Sequence, residues 1–282
     1  MIKKIVVLIL VSLFLGLIAP KIKQKTDLFK RNLNGKVKSI RHSVFEATIK
    51  SDKIEKGNII EFYNNYLKEF NQEGNQVNHI NYNLNGSLHS TYISIYDEDG
   101  NKSENSAYKS DGSLESKNIS KYNKKGYEIE RYDYESDGVL IYKKIFKYDS
   151  KGNKIENKNF DAKGEFKFKS VNKFDKHNNI IETNFYNSEG SLRSKYIYKF
   201  DVNQNEVAES GYKPDGALEF IFTNEYDKKR NKIESSTYRS DKSLESKHTY
   251  KYNFDYKKNW ILQTEYKNNV PYKIYEREIV YY

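Results

Sequence analysis

Cysteine is absent from the 282 residues, which excludes disulfides, thiolate metal sites and a lipidated cysteine anchor together. Five histidines are scattered (His42, His79, His89, His177, His248), and none has a ligand-like neighbour at helical or finger spacing, so no metal site is expected. There is no glycine-rich phosphate loop, no serine elbow and no histidine–carboxylate pairing beside a nucleophile. The expectation is therefore a protein that is not an enzyme and needs no cofactor. Aliphatic residues are scarce too: a mean hydropathy of −0.93 with 31% charged residues leaves too few for a thick core.

One apolar run does exist, at the start. Lys3 and Lys4 precede a stretch from Ile5 to Leu15, continued through Leu17, Ile18 and Ala19 to Pro20. A charged n-region and an apolar h-region over residues 1–20 read as a signal peptide or an N-terminal anchor, and so as export to the periplasm, cell surface or medium. Leu17 is bulky for a residue three before a cut after Ala19, which keeps the anchor open as an alternative. Residues 21–35 read as a basic, solvated linker and residues 36–282 as one β-repeat domain.

What fills that domain is a period. Phe70, Tyr96, Tyr122, Tyr148, Phe174, Phe200, Tyr226 and Tyr252 stand at a constant step of 26. With each as position zero, a second aromatic follows at +12: Tyr82, Tyr108, Tyr134, Phe160, Tyr186, Tyr212 and Tyr238. A fixed period over most of a chain marks a repeat architecture, one continuous array rather than two cores. Each half-repeat is an aromatic, three polar residues, a glycine and about eight residues of alternating character, the signature of strands joined by hairpin turns. Asn178 stands once for the glycine and tolerates a left-handed backbone; Gln204 and Arg230 also replace it, and looser turns are expected there. Tyrosine, at 26 copies, has to supply much of the apolar surface.

The fold class is thus all-β: an up-and-down antiparallel meander of about 17–18 strands, curled into a spiral or open barrel-like sheet, because sheets of that size do not stay flat. Four-residue loops would make +8 face +21. That register sets Glu104 against Lys117, Glu130 against Lys143, Glu156 against Lys169, Glu182 against Lys195 and Glu234 against Lys247, with both charges missing at Asn78/Thr91 and Ala208/Ile221. Opposite charges facing across a strand pair stabilise it by roughly 0.2–1 kcal/mol. The same register puts Ile and Val at +7, Leu at +18 and the zero aromatics on one core face, and the charges with the +12 rings on the other. Two extra residues between Tyr252 and Trp260 predict a bulge or longer turn, and Ile279–Tyr282 predicts an open edge strand.

The motif Tyr-Asp-x-x-Gly-Asn at residues 96–101 and 148–153 resembles the YD repeats of bacterial RHS proteins, over roughly residues 60–260. That resemblance implies a curled β-sheet shell.

A net charge of +10 raises nucleic acid or an anionic surface as partner, but basic and acidic residues alternate along every repeat, which argues against nucleic acid. Asp97–Asn101 looks like a fragment of a calcium loop without its distal carboxylate, and reads as a turn. The candidate binding residues are the outward tyrosines Tyr82, Tyr108, Tyr134, Tyr186, Tyr212 and Tyr238, a regularly spaced stacking surface. The expectation is an exported, non-catalytic β-repeat binding or structural module of the cell envelope. Its alternatives are a carbohydrate binder using the aromatic ladder, or a binder of a protein partner such as an immunity or adhesion factor. The partner is an unknown protein or polysaccharide, and membrane contact runs only through the N-terminal segment.

Overall fold

A computed structural model describes residues 26–60 and 65–282; the apolar segment 1–20 and the first part of the linker lie outside them. The turns come first, because they set everything else. In Asp149–Asn153 the Asp149 N–H donates to the Asn153 carbonyl at 3.0 Å and the Gly152 N–H to the Asp149 carbonyl at 3.1 Å, with Gly152 at φ 87. This is a three-residue loop closed by a left-handed residue. The Asp149 carboxylate accepts the N–H groups of Lys151 and Asn153 and the Asn153 side-chain amide. Those bonds hold its pKa below the usual carboxylate range, the Asn153 amide contributing most. Asp97 is occupied in the same way, by Asp99, Asn101 and its amide. The Tyr-Asp-x-x-Gly-Asn motif is thus a turn whose aspartate holds the loop together.

The turns at Gln204 and Arg230 are not looser. Both residues take the left-handed backbone, φ 65 and φ 68, with the same pair of backbone bonds. Their side chains compensate: Gln204 accepts from Asn179 at 2.7 Å, and Arg230 donates from Nε to Asn205 at 2.8 Å. Asn178 likewise accepts from Asn153 at 3.1 Å. Asn178, Gln204 and Arg230 each stitch their turn to the turn one repeat earlier.

Nineteen strands form one antiparallel sheet among the described residues. β1 (Val37–Lys50) is long and β2 (Lys53–Ile59) folds back on its end. The meander runs from β3 (Tyr66–Phe70), β4 (Gln76–Tyr82) and β5 (Leu88–Tyr96) to β17 (Leu244–Phe254), β18 (Trp260–Lys267) and β19 (Val270–Tyr281). β1 pairs with β3 on one side and β19 on the other, so the sheet closes into an 18-strand barrel. Ile279 pairs with Ile40 and Tyr281 with Val37, which leaves no open C-terminal edge. Closure removes two rows of unsatisfied backbone groups, the reason it wins over an open spiral. The two extra residues after Tyr252 lengthen β17 to 11 residues and leave an ordinary three-residue turn at Asp255–Asn259.

Register differs from the facing-charge expectation. Glu156 lies opposite Val171, and Lys169 lies opposite Lys158. The loop is one residue shorter than expected, and each hairpin carries one-residue bulges: Phe160 pairs with Phe166 while Asn159 pairs with Phe168, leaving Lys167 extra. The bulge re-aims whatever precedes it. Leu88, Leu114, Leu140, Leu192, Leu218 and Leu244 therefore sit opposite the +12 tyrosines and leave the core face on which they were expected. Phe160 and Phe166 meet edge to face at 5.9 Å.

The apolar core cluster is small and sits at the seam: Leu28, Val37, Ile40 and Phe70, with Leu33, Ile279 and Tyr281 packed against it. Residues 26–35 run along this seam: Leu28 is buried in it and Asp27 and Leu33 are half-buried, while Phe29 to Asn32, Asn34 and Gly35 stay exposed. Thr26 caps the short helix α1 (Asp27–Lys30), the Leu28 N–H donates to the Gly74 carbonyl at 3.1 Å, and Asp27 accepts from the Gln76 N–H and the Tyr96 hydroxyl. Leu28 is the anchor that an exposed linker would lack.

Candidate functional site

Residues 27–34 identify the concave face. Asp27 and Lys30 line a cavity with Tyr96, Tyr122, Glu128 and Tyr148. Phe29, Asn32 and Leu33 line another with Gln204, Glu206 and Tyr226. These strands stand on nearly opposite arcs of the ring, and only a segment at the mouth, on the inner side, reaches both. The zero aromatics and the +6 residues are therefore inward, and the strand alternation places +9, +11, +20, +22 and +24 with them. Tyrosines at zero share one device. The hydroxyls of Tyr96, Tyr122, Tyr148, Tyr226 and Tyr252 donate to the carbonyls of Gln76, Lys102, Glu128, Glu206 and Lys232, each 20 residues earlier. The ring packs and the hydroxyl satisfies a backbone acceptor.

The convex face takes the sequence-derived candidates. Tyr82, Tyr108, Tyr134, Tyr186, Tyr212 and Tyr238 are all half-buried, each opposite a leucine of its own repeat. Lys117, Lys169 and Lys195 stand on the other side of Tyr134, Tyr186 and Tyr212, with the Lys169 ammonium 5.1 Å from the Tyr186 ring. These rings are part of a covered stripe more than a bare ladder. Three of the glutamate–lysine pairs meet as diagonal neighbours: Glu130–Lys143 at 2.8 Å, Glu182–Lys195 at 3.1 Å and Glu234–Lys247 at 2.7 Å. A two-residue offset keeps both partners on one face, so the charge pattern survives a wrong register. Glu182 also meets Lys173 at 2.8 Å, and the Lys173, Asn184 and Lys195 side chains bring its pKa down to about 2. Glu156 turns the other way, to Lys147 at 3.1 Å, and Glu104 accepts from the Ser106 hydroxyl; Lys117 and Lys169 are not brought to their expected glutamates.

The concave face was not singled out by sequence reasoning, although the repeat itself holds the signal. At +12 and +18 the residue hardly changes along the chain. At the inward +9 position it runs His79, Asn105, Arg131, Asn157, Thr183, Glu209, Ser235. At +22 it runs Tyr92, Asn118, Lys144, Ser170, Tyr196, Phe222, His248. Positions that serve the scaffold are constant, and most of the variable ones lie on this face, although +10 on the convex face also varies, through Ile80, Tyr132, Lys158 and Ser236.

Part of that face is a row of rings and cations near the seam. His42 stacks on Tyr66 at 4.8 Å, Tyr66 meets His79 at 5.2 Å, and His79 meets Tyr92 at 5.7 Å, across four neighbouring strands. The Lys68 ammonium lies 3.9 Å from the Tyr66 ring centre and the Arg277 guanidinium 3.4 Å from that of Trp260. Burial, then the Arg31 and Arg277 charges, lowers Lys68 to about 8. Burial likewise brings Arg277 down to about 10, and burial with the Lys68 charge brings His79 down to about 4, so its imidazole is neutral at pH 7. Further along, Glu128 joins Arg131 at 2.7 Å and Lys154 at 3.4 Å. Among the described residues no cluster of three His, Asp or Glu side chains is placed to hold a metal ion.

No protein-family model and no curated protein matches the chain. Among solved structures it is similar to a porin-like protein from Bacteroides uniformis, at 9% identity and a TM-score of 0.43 over 86% of this chain and 96% of that one. A porin-like protein from Bacteroides vulgatus aligns at 10% identity and a TM-score of 0.32, over 85% and 97%. The TcdB2–TccC3 structure aligns at 11% identity and a TM-score of 0.28, over 83% of this chain but 16% of that one.

Proposed function

We propose that this protein is an exported, non-catalytic β-barrel binding module of the cell envelope that takes its ligand on the concave face. One observation carries the reading: scaffold positions repeat almost unchanged, while inward positions vary from repeat to repeat in charge, size and aromaticity. A scaffold gains nothing from that variety, whereas a ligand needs different groups at different places. Export rests on the charged and apolar pattern of residues 1–20. The convex face carries Lys121, Lys147 and Lys173 at about 60% exposure together with the glutamate row. Such a face suits water far better than the apolar band that a lipid-facing barrel presents.

The test is co-sedimentation of the protein with envelope polysaccharide and peptidoglycan across a salt series, comparing two double variants. Arg131→Gln with Tyr196→Ala alters the concave face; Tyr108→Ala with Tyr212→Ala alters the convex stripe. Loss of binding in the first variant alone supports the concave reading. Loss in the second alone would transfer the site to the aromatic ladder and reject it.

A further inference from the structure

We propose that the cavity beside Trp260 is a receptor site for a small organic polyanion, a compound carrying two or more phosphate or carboxylate groups. The inference deepens the concave-face reading and rests on it. The cavity has a volume of about 650 Å³, and its described lining brings six cations and no carboxylate: Arg31, Lys229, Arg230, Lys232, Lys258 and Arg277. In a chain whose charges otherwise alternate, such a one-sign cluster is a departure. The cavity at Tyr122, across the ring, also holds cations, but there Asp27 and Glu128 accompany them, and the adjoining cavity that shares Tyr226 and Arg230 contains Glu206. Here Lys232 feels Glu206 from outside the lining, Arg31 bonds the Gln76 amide at 3.0 Å, and Arg230 bonds Asn205.

Arg277 is the most informative member. Its guanidinium lies over the Trp260 ring, 3.4 Å from its centre, and bonds the Tyr66 side chain, but its Nε is buried with no acceptor among the described residues. A buried donor without a partner costs about 1–3 kcal/mol, and like charges gathered around it add to that. Native proteins keep such an arrangement where a ligand completes it. An anionic oxygen would supply the acceptor and the counter-charge at once. Guanidinium groups bind phosphate and carboxylate through two donors in a plane, and Arg31, Arg230 and Arg277 converge from three different elements. Tyr226, Tyr252 and Phe254 add ring surface in the same lining, which suits an organic framework and not a bare ion. More than one anionic group is expected because six cations, from residues 31, 229, 230, 232, 258 and 277, share one lining.

The experiment is isothermal titration calorimetry on the full chain at low salt, with fructose 1,6-bisphosphate as the phosphate probe and citrate as the carboxylate probe. Saturable one-site binding of either is expected, and which probe binds more tightly assigns the anionic group. Arg277→Gln and Arg31→Gln should each weaken it about tenfold or more. Lys121→Gln with Lys147→Gln, which removes charge from the convex face, should leave it unchanged. Should Arg277→Gln not fold, Lys229→Gln with Lys258→Gln, on exposed turns, reads out the same site with an expected loss of about threefold or more. No saturation by either probe at about 10 mM, or equal weakening by the convex variant, overturns the proposal. If these probes fail while the concave double variant still loses sedimentation with polymer, only this inference falls; if neither experiment shows concave binding, the reading beneath it falls as well.

Discussion

Lys68→Met should make the protein more stable at neutral pH. Lys68 is buried, 8% exposed, and its pKa stands at about 8 against an ordinary 10.5. At 1.36 kcal/mol for each unit, keeping it charged at pH 7 opposes folding by up to about 3.4 kcal/mol. The Tyr66 ring returns about 1 kcal/mol of cation–π attraction, and solvent at the barrel mouth screens part of the rest. A net gain of about 1–2 kcal/mol is expected from methionine, which keeps the methylene packing, or about 2–4 °C in Tm. The sign of the pH dependence follows from the lowered pKa. Between pH 8 and 10.5 the unfolded chain still binds the proton that the folded one has lost, so wild-type stability climbs as pH rises through 8. The advantage of Lys68→Met should therefore be full at pH 7 and reduced to roughly 40% of that at pH 9.5. Circular-dichroism melts at both values, in a buffer without polyvalent anions, measure this. A variant less stable than wild type at pH 7, or a gap of equal size at both pH values, would refute the reasoning.

Three further outcomes are expected. Arg230→Gly relieves a left-handed backbone and loses the bond to Asn205, so its denaturant midpoint should stay within about 1 kcal/mol of wild type; Arg230→Val should cost about 2 kcal/mol more, since a β-branched residue resists that backbone. Glu182→Gln should lose about 1 kcal/mol at pH 6. Because the folded pKa of Glu182 is about 2 against 4.5, that deficit should shrink as pH falls from 4.5 through 2, visible as converging melts. Ile279→Pro in the closing strand should destabilise by about 3 kcal/mol or more and deprotect the amides of β1, detectable by hydrogen exchange; unchanged protection from Val37 to Glu46 would show that the seam holds without it.

Turn residues and aromatic spacing made the strands legible: every Asp-x-x-Gly-Asn marks where the chain reverses, and the 26-residue step counts the hairpins. What could not be read was the bulge. One unpaired residue, Lys167 in its hairpin, moves Phe166 and its leucine equivalents to the convex face, and alternation of hydrophobicity is blind to it. The glutamate–lysine covariation misled for a related reason, since diagonal and facing neighbours leave the same trace in the sequence. Closure was missed because β1 lies outside the clear repeats, so nothing in the period says that Ile40 will meet Ile279. The docking of Leu28 was hidden by its basic surroundings. The concave face was legible in principle, as the face that holds most of the positions at which the repeats disagree.

The seam between β1 and β19 also sets an order of events. Every other ladder except β1–β3, which spans β2, joins consecutive strands that can form as a hairpin within microseconds. The pairing of Val37 with Tyr281 has to wait until the whole meander exists, and it carries the largest loop-closure entropy in the molecule. Until then the sheet has two bare edges, and either can be met by the complementary edge of another copy. At high concentration the same contact that seals one ring would then link neighbouring chains end to end, so yield on refolding should fall with concentration. The apolar cluster around Leu28 and Phe70 works as a latch. It places Asp27 and Leu28 against the β3–β4 turn and holds one edge in position to receive the last strand.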